Sequence, residues 1–168
     1  MRQARAFTLV EILIVVVLLG ILAGIVIPAI GKSTTGARET TLAMNLNLLR
    51  RFIPVYTSQH KEVAPGYPNG STAAAPTQQT FFDQAMLSSN AGGQTAARGT
   101  AGYPYGPYLS KIPANPFNNM DTVQFLGDGE VFPAAADDSH GWVYKPATGE
   151  IRPDNTGTRD DGTAYYDY

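Results

Sequence analysis

The chain of 168 residues has no cysteine, two histidines and one tryptophan, and only 15% of its residues are charged. Without cysteine there is no disulfide to staple long loops and no thiolate for a zinc or iron–sulfur site. No Walker or dinucleotide-binding pattern occurs, and Gly127-Asp128-Gly129 is too short to cradle a phosphate, so nucleotide-driven work must come from another protein. Ser139-His140 beside Asp137 and Asp138 has the residue types of a catalytic triad, but neighbours in one loop do not project into a nucleophile, base and orienter. The chain therefore reads as a non-enzyme that requires no cofactor. Arg50-Arg51 is a thin basic patch on a chain of net charge −2, which argues against a nucleic-acid partner.

What is present is a long apolar run at one end. After Arg2 and Arg5, the run 12–30 contains no charge, and Lys32 closes it. At about 1.5 Å rise per residue it makes a helix of roughly 28 Å, close to the ~30 Å hydrocarbon core of a bilayer. A secretory signal peptide would also have a basic start, but its apolar stretch runs only ~7–15 residues and ends in a small-residue cleavage site. Glu11 stands at the head of the run. A carboxylate there costs roughly 2.5–3.5 kcal/mol on insertion scales unless it finds a partner, so it marks a functional interaction. An ordinary single-pass anchor with an acidic interfacial residue is the bland alternative.

Phe7-Thr8-Leu9-Val10-Glu11 followed by the apolar helix resembles the signature of type IV prepilins and pseudopilins. The resemblance implies a leader, residues 1–6, cut by a membrane prepilin peptidase between Ala6 and Phe7, with N-methylation of the new Phe7 amino group. It implies that Glu11 pairs with the Phe7 ammonium of a neighbouring subunit in a low-dielectric bundle, and that Pro28 kinks the helix. The family normally has glycine before the cut, where this chain has Ala6. Gly20 and Gly24 form a Gly-x-x-x-Gly pattern that permits close helix approach in lipid.

Beyond the transmembrane and polymer-core helix, 7–30, the pattern becomes an amphipathic stem helix, 31–60. Leu42, Leu46, Leu49, Ile53 and Tyr56 repeat at four and three residues, a stripe that should face a sheet, and the helix should end near Gln59 or His60. The remainder, 61–168, reads as a small head with flexible loops at 65–80 and 88–102. Asn69-Gly70-Ser71 satisfies a glycosylation sequon, but Asn-Gly is foremost a turn dipeptide. Thr80 and Asp83 suggest a capping box opening a short helix. Thr122–Leu126 alternates as a strand, and Trp142–Tyr144 with Glu150–Arg152 reads as a hairpin with the tryptophan in the core. The expected fold is α+β: a long amino-terminal helix, half transmembrane and half amphipathic, packed on a small antiparallel sheet in the manner of pilins.

Gly106-Pro107-Tyr108-Leu109, Ile112-Pro113 and Pro116-Phe117-Asn118, with Gly141-Trp142-Val143-Tyr144, are similar to head passages of the major pseudopilins of type II secretion. This resemblance implies a structural subunit that forms a homopolymeric periplasmic filament driving protein export. Its implied partners are minor pseudopilins, the prepilin peptidase, the lipid bilayer and an inner-membrane assembly platform with a separate ATPase. Its implied location is the bacterial inner membrane, single-pass, with the head in the periplasm. A pilin of a type IV pilus, serving adhesion, twitching or DNA uptake, is the alternative; such pilins commonly carry a carboxy-terminal disulfide loop, which is impossible here.

Charge is unevenly spread: residues 1–61 hold seven basic and two acidic side chains, and residues 121–168 hold three basic and ten acidic. Asp137, Asp138, Asp154, Asp160 and Asp161 supply the hard oxygens that Ca²⁺ prefers, and the family precedent is a calcium-bound head loop. Their spacing matches no EF-hand loop, and solvated loop charges are the commoner reading of such clusters.

Overall fold

In the computed structural model, residues 8–168 are described, with the backbone alone for residues 25–33. One helix, α1, runs Leu9–Gln59, ending where the stem stripe runs out and continuing through Pro54. The chain divides between Glu39 and Thr40 into two units. In the first, every large apolar side chain described from Leu9 to Leu22 is at least half exposed, from 50% at Val15 to 82% at Leu9. Among the described residues no helix is long and apolar enough to cross a membrane. The expected span 12–30 lies partly outside that set, because the side chains of residues 25–33 are not described.

The second unit is built on the stem stripe. Leu42, Leu46, Leu49, Ile53 and Tyr56 are all within 2% of full burial, as their spacing predicts, and Phe52 joins them. Against them pack α2 (Gln78–Met86) through Phe81 and Ala85, the passage 109–112 through Leu109 and Ile112, and the sheet through Val123, Trp142, Tyr144 and Ile151. Polar bonds tie the same surfaces together: Asn45 Nδ2 donates to Ala114 O at 2.8 Å, and Arg50 Nη2 donates to Ile151 O at 3.2 Å and Tyr168 O at 2.5 Å. Trp142 fulfils its expected anchoring role, fully buried with its indole N–H on Pro113 O at 2.9 Å.

Two small sheets replace the single antiparallel one expected. β1 (Ser88–Ser89) and β2 (Thr95–Ala96) form an antiparallel pair. β3 (Val123–Phe125), β4 (Trp142–Lys145) and β5 (Glu150–Pro153) form the larger sheet in that order. β4 and β5 are the anticipated hairpin, with Lys145 opposite Glu150, but β3 runs parallel to β4, Val123 opposite Trp142. The correction has a simple cause. Residues 126–141 form a crossover long enough to return the chain to the starting end of the sheet, which a tight hairpin cannot do. β4 is buried on both faces: Trp142 and Tyr144 face the stem core, and Val143 packs with Leu126 and Tyr166 in a second cluster. Tyr166 arrives on a 3₁₀ turn, Tyr165–Asp167.

A second correction concerns α2. Its cap is Thr77, whose hydroxyl accepts from Thr80 N at 3.2 Å, and Asp83 instead accepts from Gln79 Nε2 at 2.8 Å. The surrounding loops are pinned from inside. Fully buried Gln84 accepts from Gly66 N at 2.7 Å and donates to Tyr67 O at 3.0 Å and Gly93 O at 3.2 Å. Asn69-Gly70 is the turn expected, and Gly70 lies so close to the other loop that a Cβ would fall 2.6 Å from Gly92 O.

His60 closes the stem. Its ring stacks on Tyr56 at 3.7 Å between centroids, with Tyr105 and Tyr108 edge-on to it. Nδ1 meets Tyr56 O at 2.7 Å, so it must carry the proton, and Nε2 accepts from the Ser89 hydroxyl at 2.9 Å. Burial holds the imidazole below its ordinary 6.5, partly offset by the Tyr56 carbonyl. The unfolded chain therefore takes up this proton first, and stability should fall as pH drops below about 6.5, by up to about 1.4 kcal/mol per unit for one proton. Denaturant titrations of the full chain in detergent between pH 8 and pH 5 check this. His60→Gln should lose stability at neutral pH but show a flatter slope; an unchanged slope would assign the pH dependence elsewhere.

Candidate functional site

Thr8 and Glu11 begin α1 as a reciprocal cap. Glu11 Oε2 accepts from Thr8 N at 2.8 Å and from the Thr8 hydroxyl at 2.9 Å, while Thr8 Oγ1 accepts from Glu11 N at 3.2 Å. This is the Thr-x-x-Glu capping box, in which cap and third helical residue satisfy each other's orphan donors. Thr8 is the functional residue that attention to the Glu11 charge passed over, although its spacing carried the signal. Among the described residues both side-chain bonds fall on Oε2, which leaves Oε1 for a donor from elsewhere. The carboxylate thus has a local task, stabilising a helix start, and spare capacity for a second. Ala6 and Phe7, the expected cleavage and methylation positions, lie outside the described residues, as does the side chain of Pro28.

Around that start, the exposed apolar side chains from Leu9 to Leu22 form a surface far too extensive for a monomer in water. Among the described residues Gly20 and Gly24 have nothing within 4 Å of an added Cβ, so the face they share is open there to a close-packing helix.

The five aspartates expected to hold calcium fall into distinct arrangements. Asp154 is buried, 2% exposed, and its carboxylate accepts from Asp137 N at 3.1 Å, His140 N at 2.9 Å and the Ser139 hydroxyl at 3.3 Å. Asp138 accepts from Thr156 N at 3.1 Å and also binds the Thr156 hydroxyl. Asp137 accepts from Ser139 N at 3.0 Å, and Ser139 holds its carboxyl below the usual range. Asp161 accepts from Thr163 N at 2.9 Å in the separate turn that also contains Asp160, and the bonds from Thr163 lower its carboxyl likewise. Among the described residues no three acidic, histidine or cysteine side chains group to hold a metal ion.

This donor chemistry does not fit a calcium cage. The atoms pointing at Asp154 are N–H and O–H groups, the surroundings of an anion, where a cation needs converging oxygens. Two asparagines extend the clasp. Asn118 Nδ2 donates to His140 O at 2.7 Å and Asp154 O at 2.8 Å, and fully buried Asn115 donates to Asn155 Oδ1 at 2.8 Å. Ser139 Oγ does reach His140 Nδ1 at 2.8 Å, but Asp154 binds the serine hydroxyl and the histidine backbone rather than the imidazole, which is not the arrangement of a triad.

Asp154→Asn should therefore destabilise the head, because an amide NH₂ would replace one acceptor oxygen facing N–H or O–H donors. Removing one partner of such a buried bond costs about 1–3 kcal/mol. Thermal melts of the full chain in detergent should give equal midpoints with calcium and with EGTA. A calcium-dependent rise that Asp138→Ala abolishes would instead make these carboxylates ligands.

Comparison with known proteins agrees with this geometry. Residues 1–27 match the model of the prokaryotic N-terminal methylation motif. The chain is 28% identical over 130 residues to the type II secretion system core protein G of Klebsiella pneumoniae, covering 77% of this chain and 79% of that protein. No solved structure matches. The motif lies about the capped helix start and the similarity extends well beyond it, so over most of its length the chain resembles the prepilin and pseudopilin class.

Proposed function

We propose that the chain is the major structural subunit of a type II secretion pseudopilus. The observation that carries this reading is the methylation motif joined, in one chain, to similarity with a secretion core protein over 77% of its length. A pilin of a surface pilus shares the motif, but the relative is a secretion protein, which favours export.

In this reading a prepilin peptidase cuts between Ala6 and Phe7, and the Phe7 amino group is methylated. The helix is drawn from the inner membrane into a filament by an assembly platform whose ATPase is a separate protein, with minor pseudopilins as further partners. The head stands in the periplasm and the chain performs no catalysis. Glu11 serves twice: Oε2 caps its own helix, and Oε1 receives the Phe7 ammonium of a neighbour. In a water-poor bundle an unpaired carboxylate is strongly unfavourable, so this pairing sets the axial register of the polymer.

Glu11→Gln separates the two tasks, since glutamine also suits a capping box but carries no charge. Expressed with a complete secretion system, the variant should be cut before Phe7 normally yet assemble at least about tenfold fewer filaments, because leaving one charge of a buried pair alone costs several kcal/mol. Filaments at the unaltered level, counted by electron microscopy, would overturn the pairing role.

A further inference from the structure

The stem helix carries a second apolar stripe that the head does not use. Met44, Leu48 and Val55, with Arg51 among them, repeat at four, three and four residues and are 68%, 44% and 46% exposed. Met44 lies two positions beyond core residue Leu42, about 200° around the helix, so the stripe looks away from the core. A helix apolar on opposite faces is one that is covered on both.

Its complement stands elsewhere on the head. Among the described residues of 40–168, five large apolar side chains are exposed; three form the stripe, and the most exposed is Val131 at 82%. Val131 sits on the crossover between β3 and β4, beside Glu130 and close to Asp128. That turn is preformed: Glu130 Oε2 accepts from Gly127 N at 2.7 Å, Glu130 N donates to Gly127 O at 3.0 Å, and Lys145 Nζ donates to Glu130 O at 2.6 Å. It presents one apolar side chain preceded by two acids, Asp128 and Glu130, while the stripe presents apolar side chains flanking a cation. Among the described residues both ion pairs belong to Arg152, and Arg51 has no carboxylate partner.

We propose that the 128–131 turn of one copy docks on the 44–55 stripe of the next, Val131 entering between Leu48 and Val55 and Glu130 meeting Arg51. Two different, mutually complementary patches on one chain make a head-to-tail contact, which repeats without closing and so builds a filament. The inference rests on the filament reading and names a lateral contact for it, distinct from the pairing at Glu11.

The absence of native cysteine makes crosslinking a direct test. The full chain with Leu48→Cys and Val131→Cys, assembled in cells with the secretion system and oxidised with copper phenanthroline, should give a ladder of covalent multimers. Each single variant should give several-fold less. Filaments that form in the same preparation without a ladder would overturn the docking contact alone. Wild-type chains that form no filaments would overturn the filament reading, and the contact with it. Crosslinks to a protein of different mass would give the stripe to another subunit and overturn the proposal. As a second readout, Arg51→Glu should reduce filament number several-fold, and adding Glu130→Arg should restore it; normal processing before Phe7 with no restoration would contradict the ion pair.

Discussion

The structure depends on one constraint: an apolar helix start whose polar ends must be satisfied without water. From Leu9 to Leu22 the apolar side chains find no cover among the described residues, and lipid or other copies would supply it in the proposed function. In either setting an open backbone N–H is costly, and the reciprocal bonds of Thr8 and Glu11 answer that cost locally. Because the two bonds given to the Glu11 side chain converge on a single oxygen, the proposed subunit pairing would not compete with capping for the same lone pairs. A residue out of place in an apolar segment thus caps its own helix and, in the proposed pairing, would serve the assembly as well.

The second unit holds its part of the stem helix firmly. Its stripe from Leu42 to Tyr56 is buried against α2 and the larger sheet, and the loops beside the crossover are held by asparagine and aspartate side chains bonded to backbone. Without disulfides, and with a donor arrangement suited to anions rather than cations, the loops rely on these polar clasps. Gln84 does the same between the 65–70 and 92–94 loops. Rigidity here matters to a filament subunit, since surfaces that repeat from copy to copy tolerate little variation in shape.

Local and periodic features were legible in the sequence. The stem stripe, the end of α1 near Gln59, the β4–β5 hairpin and the core tryptophan all follow from spacing and turn residues, and the structure agrees. The Thr8-x-x-Glu11 cap was equally local and could have been read from its spacing. Features that depend on distant chain were not legible. The parallel register of β3 arises from where the 126–141 crossover returns, and the three bonds of Gln84 come from backbone that no periodicity connects. The α2 cap moved to Thr77 because two candidate hydroxyls lie three residues apart and only the geometry chooses. The aspartates invited a cation by type, while their roles depend on which N–H groups the fold brings to them.

The central claim is that this is a processed subunit whose mature helix begins at Phe7. The most direct measurement is the mass of the amino-terminal peptide from protein extracted from membranes. A peptide beginning at N-methylated Phe7 is the predicted result, and it would also show that alanine serves before the cut. An uncut peptide that retains the 1–6 segment would contradict the account and leave a membrane anchor that does not polymerise through its amino terminus.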